Sequence, residues 1–291
     1  MKHLIIILVL ALVFSCKTDT KEEKTEIVED TIELYEEKVD STVISTPDII
    51  QDKSIAIELK QNKLIEKEDE RQSLESLIIE KKYLKEKEGY SIDFTYPLLN
   101  EKQNLKYANF NDYINDYYVD ITGTEAAILK SKALCDSIAL LKFKENRLIN
   151  YKIYNVNDDL VSVVFYKENF YSGTLHPSYS FDCVNFDLNR GVFMTYEDFF
   201  LEGTEEEFRA LINEEINSKI SKGELFYDCW ELSQDDFFEH KNNFVLNETY
   251  VEYYFDDCLM CPSYTGSYSV EIPLVKLLSV IKKYDLNPLV F

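Results

Sequence analysis

The chain has 291 residues, with 54 Asp and Glu against 31 Lys and Arg, a net charge of −23. A surface this acidic repels phosphate backbones and anionic lipid, which excludes nucleic acid as a partner and a basic patch as a membrane anchor. Only 3 His leave a His-rich metal centre without ligands, and 21 Tyr and 18 Phe against 7 Gly point to a β-containing core.

The first element is an unbroken apolar run, Leu4 to Phe14, preceded by Lys2 and followed by Ser15-Cys16. A basic start, a short apolar stretch and a small residue at the cut site read as a secretory signal over residues 1–15, because the run is too short to span a bilayer. Cys16 directly after Ser15 resembles a bacterial lipoprotein signal. The resemblance implies that Cys16 becomes the first mature residue and carries acyl chains, palmitate among them. The expected place is the cell envelope, most naturally the outer membrane, facing the periplasm or the surface. Cutting there removes Lys2 and leaves every acidic residue in the mature chain.

Residues 16–51 read as an acidic disordered tether, too polar to bury a core. Within it Lys21-Glu22-Glu23 resembles the export tag of surface lipoproteins in Bacteroidetes-type bacteria, and Asp30-Thr31-Ile32 resembles an O-glycosylation site there. Residues 52–89 are expected to be a helical spacer: Gly and Pro are absent before Gly89, and Glu, Lys, Gln and Leu dominate. The apolar positions Ile55, Leu59, Leu74, Leu77, Ile78 and Leu84 are too intermittent for a coiled coil.

From Tyr90 to Phe291 the pattern is that of a folded domain of about 200 residues, large enough for a full core. Ile92, Phe94 and Tyr96 alternate ahead of Pro97, as in a strand. Phe110, Ile114, Tyr117, Tyr118 and Ile121 keep helical spacing, and a second helix is expected over 124–141. Strands are expected at 147–156 and 160–168, the latter apolar on both faces and so interior. Tyr179, Phe181 and Cys183 place apolar residues on odd positions and Val184, Phe186 and Leu188 on even ones, which predicts a bulge or break near Cys183. Asn189-Arg190-Gly191 is a turn. Thr204 and Glu207 have capping-box spacing ahead of a helix closed by Gly223. Strands follow near 243–247, 250–256 and 267–272, and Pro273 fits the first turn of a last helix through Leu274, Leu277, Leu278 and Ile281. The fold class expected is α+β: a largely antiparallel sheet with helices packed against it, preceded by signal peptide, tether and helical spacer.

Three stretches go beyond composition. They are Tyr171-Ser172-Gly173-Thr174-Leu175-His176-Pro177, then Asn185 to Gly191 with Met194 to Phe200, and Tyr264-Thr265-Gly266-Ser267-Tyr268 running into Ile272-Pro273. In this order they resemble the extracytoplasmic domain shared by lysozyme-sensing anti-sigma factors of the RsiV type and peptidoglycan deacetylases of the PdaC type, over residues 90–291. Here Thr174-Leu175 replaces that family's Gly-Ala, and a segment bearing Cys258 and Cys261 interrupts a strand and loop. The resemblance implies a binding domain without chemistry of its own. Its partner would be a cationic protein of the lysozyme type or peptidoglycan itself.

Candidate binding-loop residues are therefore Tyr171, Gly173, His176, Pro177, Tyr264 and Gly266; exposed tyrosines give rigid amphipathic contact. His176 could serve as a base with Ser172 or Ser178 and Asp182, but triad members come from separate loops, so it reads as a loop lock. Asp235-Asp236 and Asp256-Asp257 are neighbours that point to opposite faces of a strand and read as solvated charge. Disulfide candidates are Cys135, Cys183, Cys229, Cys258 and Cys261, an odd set in a compartment that permits bridges, and Cys258-Leu-Met-Cys261 reads as structural. No metal, cofactor or catalytic constellation is expected. The functional expectation is a lipid-anchored, non-catalytic envelope binding protein; the alternatives are an envelope hydrolase acting on wall glycans and a structural component of an envelope complex.

Overall fold

A computed structural model describes residues 69–133, 144–156, 158–172, 174, 177–223, 231–256, 259, 269–283 and 287–289. The expected lipidation site Cys16, the signal, the tether and residues 52–68 lie outside them.

The fold is α+β. A six-stranded sheet runs in the order β1-β2-β3-β4-β5-β6, from β1 (Ile78–Glu86), β2 (Tyr90–Leu99), β3 (Glu145–Val156), β4 (Leu160–Phe170), β5 (Ser178–Asp187) and β6 (Val192–Met194). Only β2 and β3 are parallel, because the chain leaves the sheet between them for helices; the other neighbours are antiparallel. That crossover holds a short 3₁₀ turn (Leu105–Tyr107), α1 (Ala108–Asp112), a π-helical turn (Tyr113–Val119) and α2 (Ile121–Ala133). The expected 110–121 helix thus exists but widens from α to π at Tyr113 and is interrupted at Asp120. Buried Asn111 ties α1 to the end of β2, its Oδ1 accepting from Leu99 N at 2.7 Å and its Nδ2 donating to Leu99 O at 2.9 Å.

A second sheet, β7 (Phe244–Leu246), β8 (Tyr250–Tyr254) and β9 (Ser269–Pro273), is antiparallel throughout. Around it lie α3 (Tyr196–Phe199), α4 (Glu205–Ser221) and α5 (Gln234–His240). One face of the large sheet packs Ile92, Phe94, Ile149, Val163 and Phe165 beneath Phe110, Ile114 and Ile128 of the crossover helices. The other face packs Tyr154, Val164, Tyr166 and Phe181 against Val245 and Tyr254. Two buried polar side chains knit that second interface: Leu246 N donates to Ser162 Oγ at 3.0 Å, and Asn185 Nδ2 donates to Phe244 O at 3.0 Å. Every backbone group so paired would otherwise be a buried orphan.

Several expectations are corrected. The helical spacer is not helical over its described part. Residues 70–77 are turns and 78–86 form β1, which pairs with β2 along its whole length. Helix propensity of Glu, Lys and Leu loses here to the open edge of β2 and to burial of Leu74 and Leu77 in the core. The folded domain accordingly begins before residue 90. No bulge occurs at Cys183, since β5 pairs with β4 in unbroken register from Ser178 to Asp187. The switch of apolar face arises because β5 is covered on both sides, Phe181 packing toward the second sheet and Phe186 toward the helices. Thr204 does not build the expected capping box: its φ of −101° and ψ of 10° turn its Oγ1 back to Leu201 O at 2.6 Å. The box forms instead at Thr195 and Asp198, at the start of α3. Pro273 closes β9, and the last helix shrinks to a 3₁₀ turn, Leu274–Lys276. Continuing it would break the bonds from Leu201 N to Val280 O and from Lys282 N to Phe199 O, both 2.9 Å, that hold this segment to the end of α3.

Candidate functional site

Along β4 the residues facing the crossover helices are Val161, Val163, Phe165, Lys167 and Asn169. The first three are core. Beyond Phe165 the same face turns polar, with Lys167 and Asn169. Register sets Ile149 opposite Lys167 and Arg147 opposite Asn169, so four side chains form a square on one face. Phe94 lies beside Ile149 on the parallel side. Over this square Tyr118, Val119, Thr124 and Ala127 of the crossover and Tyr171 after β4 enclose a cleft of about 260 Å³.

Two cations and two tyrosine rings dominate it. The Arg147 guanidinium lies 4.1 Å from the centroid of Tyr171, and Lys167 Nζ lies 4.0 Å from that of Tyr118. Such contacts contribute about 0.5–2 kcal/mol each. Arg147 is almost fully buried and its donors are engaged, by Glu145 Oε2 at 2.7 Å, Phe170 O at 3.0 Å and Asn146 O at 3.1 Å. Lys167 is held loosely, 3.6 Å from Asp182 Oδ2. Asp182 is fixed in turn by the Tyr118 hydroxyl, which donates to its Oδ2 at 2.7 Å. Burial and the Asp182 carboxylate push the Tyr118 hydroxyl well above the ordinary tyrosine range.

Tyr118 stands where local geometry is unusual. It belongs to the π-helical turn, and Asp120 just after it has φ of 30° and ψ of 65°, a left-handed conformation for a residue with a Cβ. Asp120 then starts α2, accepting from Gly123 N at its side chain and from Thr124 N at its backbone oxygen, both 2.9 Å. π-turns and left-handed non-glycine residues concentrate at functional sites.

On the other side of Tyr118 a second cavity, about 240 Å³, opens beside β5 and is lined by Tyr113, Asp182, Cys183, Glu239, His240 and Asp256 among others. Side chains pin its floor: Asp256 Oδ1 accepts from Phe181 N at 2.7 Å and Asn243 Oδ1 from Cys183 N at 3.1 Å. Burial, followed by the Asp182, Glu252 and Asp256 carboxylates, pushes the Cys183 thiol well above its ordinary range. A nucleophilic or metal-ligating thiol requires the opposite shift. Among the described residues no group of three or more His, Cys, Asp or Glu is placed to hold a metal ion, and no helix is long and apolar enough to cross a membrane.

Of the sequence candidates, Tyr171 lines the first cleft and Pro177 opens β5. Gly173, His176, Tyr264 and Gly266 lie outside the described residues, as do Cys135, Cys229, Cys258 and Cys261. Cys183 is a free thiol. Of the two carboxylate pairs, Asp236 joins the cap of α5, its backbone N–H donating to Ser233 Oγ at 3.2 Å, and Asp256 pins β5, while Asp257 lies outside the described residues. Sequence reasoning missed Lys167, Asn169, Arg147 and Tyr118. The available signal was the change from apolar to polar along one face of β4 after Phe165.

No family model matches the chain, and no curated protein matches it. Among solved structures it is similar to a DUF3298 family protein from Pseudomonas aeruginosa PAO1, with a TM-score of 0.47 and 15% identity over 74% of this chain and 95% of that one. It is also similar to a DUF3298 family member from Bacteroides fragilis, with a TM-score of 0.46 and 13% identity over 72% of this chain and 95% of that one.

Proposed function

We propose that the chain is a lipid-anchored, non-catalytic binding module of the cell envelope that recognises peptidoglycan through the cleft between Tyr118 and Tyr171. The observation that carries this reading is the make-up of that cleft: the exposed ring of Tyr171, the Tyr118 ring carrying Lys167, the Asn169 amide and the Thr124 hydroxyl around a hollow of about 260 Å³. Sugars present apolar ring faces and polar edges, and aromatic walls with a few convergent polar groups suit them. The non-catalytic part draws support from the same lining. A glycoside hydrolase needs two carboxyl groups facing across the bond, and no carboxylate is among the described residues that line this cleft. In the neighbouring cavity the raised thiol of Cys183 is unsuited to nucleophilic work.

A second reading, capture of a cationic protein of the lysozyme type, is favoured by the net charge of −23 and by Asp182, Glu239 and Asp256 around the second cavity. One experiment separates the readings. The full chain is incubated with purified peptidoglycan sacculi and, separately, with immobilised lysozyme, at low and at raised salt. Co-sedimentation with sacculi, reduced by Tyr171→Ala, is expected. Salt-sensitive capture of lysozyme without sacculus binding would replace the first reading by the second. Release of soluble wall fragments by the chain would overturn the non-catalytic assignment.

A further inference from the structure

Nearly one residue in five of this chain is acidic, yet none of the ten described residues lining the Tyr118–Tyr171 cleft is. The lining instead gathers Arg147, Lys167, Asn169 and Thr124. The carboxylates that balance the two cations, Glu145 and Asp182, stand behind them and outside the lining. The positive groups thus face the hollow and their counter-charges do not.

Most of these donors are also unused. Arg147 does spend its hydrogen bonds, on Glu145 and two backbone carbonyls. Lys167 does not: among the described residues its Nζ has the Asp182 oxygen at 3.6 Å, beyond hydrogen-bond reach, and the Tyr118 ring. The side-chain amide of Asn169 and the hydroxyl of Thr124 have no hydrogen-bond partner among the described residues. Three adjacent donors, one of them a cation resting on an aromatic face, are therefore held at the surface of one hollow without an acceptor. Polar groups so placed are matched by a ligand that accepts.

We infer that this cleft is a carboxylate subsite. Lys167 and Asn169 would take the carboxylate of a wall-peptide segment, while Tyr171, backed by Arg147, covers the adjoining sugar or alkyl face. This rests on the peptidoglycan reading and deepens it: the specificity lies in the charged peptide stem and not in the neutral glycan strand.

The test titrates the full chain by calorimetry with N-acetylmuramyl-L-alanyl-D-isoglutamine, with its methyl ester, and with the N-acetylglucosamine tetramer. The free acid is expected to bind, and esterification to weaken it about tenfold, the usual worth of a charge-assisted hydrogen bond. Lys167→Met, which keeps the alkyl chain over Tyr118, should lose the same factor, whereas Lys167→Arg should retain most of the affinity. Asn169→Ala is the second variant, and far-ultraviolet circular dichroism verifies that each one is folded. Equal binding of acid and ester, or equal binding of the neutral tetramer, with sacculi still co-sedimenting, would overturn the carboxylate subsite and leave wall binding intact. Failure of every probe and of the sacculi would remove the wall reading itself. A poly-L-glutamate peptide, which shares the carboxylate but not the wall stem, binding as tightly as the muramyl acid would assign the subsite to an acidic protein segment and overturn the wall assignment.

Discussion

Leu77→Ala probes whether the segment before Tyr90 is part of the fold. Leu77 precedes β1, is buried in the core beneath the crossover helices, and donates its N–H to Leu74 O at 2.9 Å. Its carbonyl receives Asn100 N at 2.8 Å, so the backbone around it cannot drift to fill a void. Truncating a buried Leu costs about 2–5 kcal/mol, and a site pinned on both sides collapses poorly, so about 3 kcal/mol is expected. For a domain of this size that lowers Tm by roughly 6–12 °C. The assay is urea unfolding followed by circular dichroism, with Leu84→Ala as the control, since Leu84 is on the exposed face. A chain beginning at residue 69 should melt like the full chain, and one beginning at residue 90 should not fold. A loss within about 0.5 kcal/mol for Leu77→Ala, the range of surface substitutions, would refute the assignment of β1 to the domain.

The remaining predictions concern single sites. Gly191→Ala should cost more than about 1 kcal/mol, because Gly191 sits at φ of 71° and an added Cβ would lie 2.5 Å from Lys106 Cβ; chemical denaturation reads this. Glu252→Ala should cost at least about 2 kcal/mol, since Glu252 is fully buried and accepts from Tyr154 Oη at 3.1 Å and Ser269 Oγ at 2.6 Å, bonds that the substitution removes. The Cys183 peptide should resist iodoacetamide at neutral pH in the native chain and react in urea, as mass spectrometry would record, because burial raises its thiol. Tyr118, Tyr154, Tyr253 and Tyr254 are raised by burial, and Tyr196 is pushed up to about 12. The unfolded state then releases these protons first, so stability holds below the free tyrosine pKa of about 10 and falls above it, by up to about 1.4 kcal/mol per pH unit for each group. An alkaline unfolding curve that is flat through pH 11 would contradict this.

Much of the sheet was legible because β3 and β4 are long, rich in β-branched and aromatic residues, and bounded by a turn in which Asp158 takes φ of 55°. The segment at 78–86 was not legible. Its residues favour helix, and what makes it a strand is β2, whose edge no local pattern announces. Cys183 misled for a related reason: a strand covered on both faces loses its period-two signature, and continuous burial then resembles a change of face. At the candidate site only Tyr171 was recovered. Arg147, Lys167 and Asn169 stand on strands whose polar residues look like ordinary solvated ends, and their convergence depends on register between β3 and β4.

Tyr118 links these observations. A regular α-helix from Ala108 would advance about 100° per residue; widening to a π-turn over Tyr113–Val119 shifts the angular phase of the residues at its C-terminal end. Val119 still reaches the core, and Tyr118 is turned onto Phe165, with ring centroids 4.4 Å apart. From there its ring carries Lys167 on the side of the first cleft, and its hydroxyl holds Asp182 on the side of the second. One side chain thereby separates an ammonium from the carboxylate that would otherwise neutralise it at hydrogen-bond distance. At 3.6 Å the pair orients Lys167 while leaving its donors open. The strained dihedrals of Asp120 arise from the same shift, since the chain must re-enter α2 from a widened turn. Local backbone cost and a cation with open donors thus meet at one place, which is what the proposed carboxylate subsite requires.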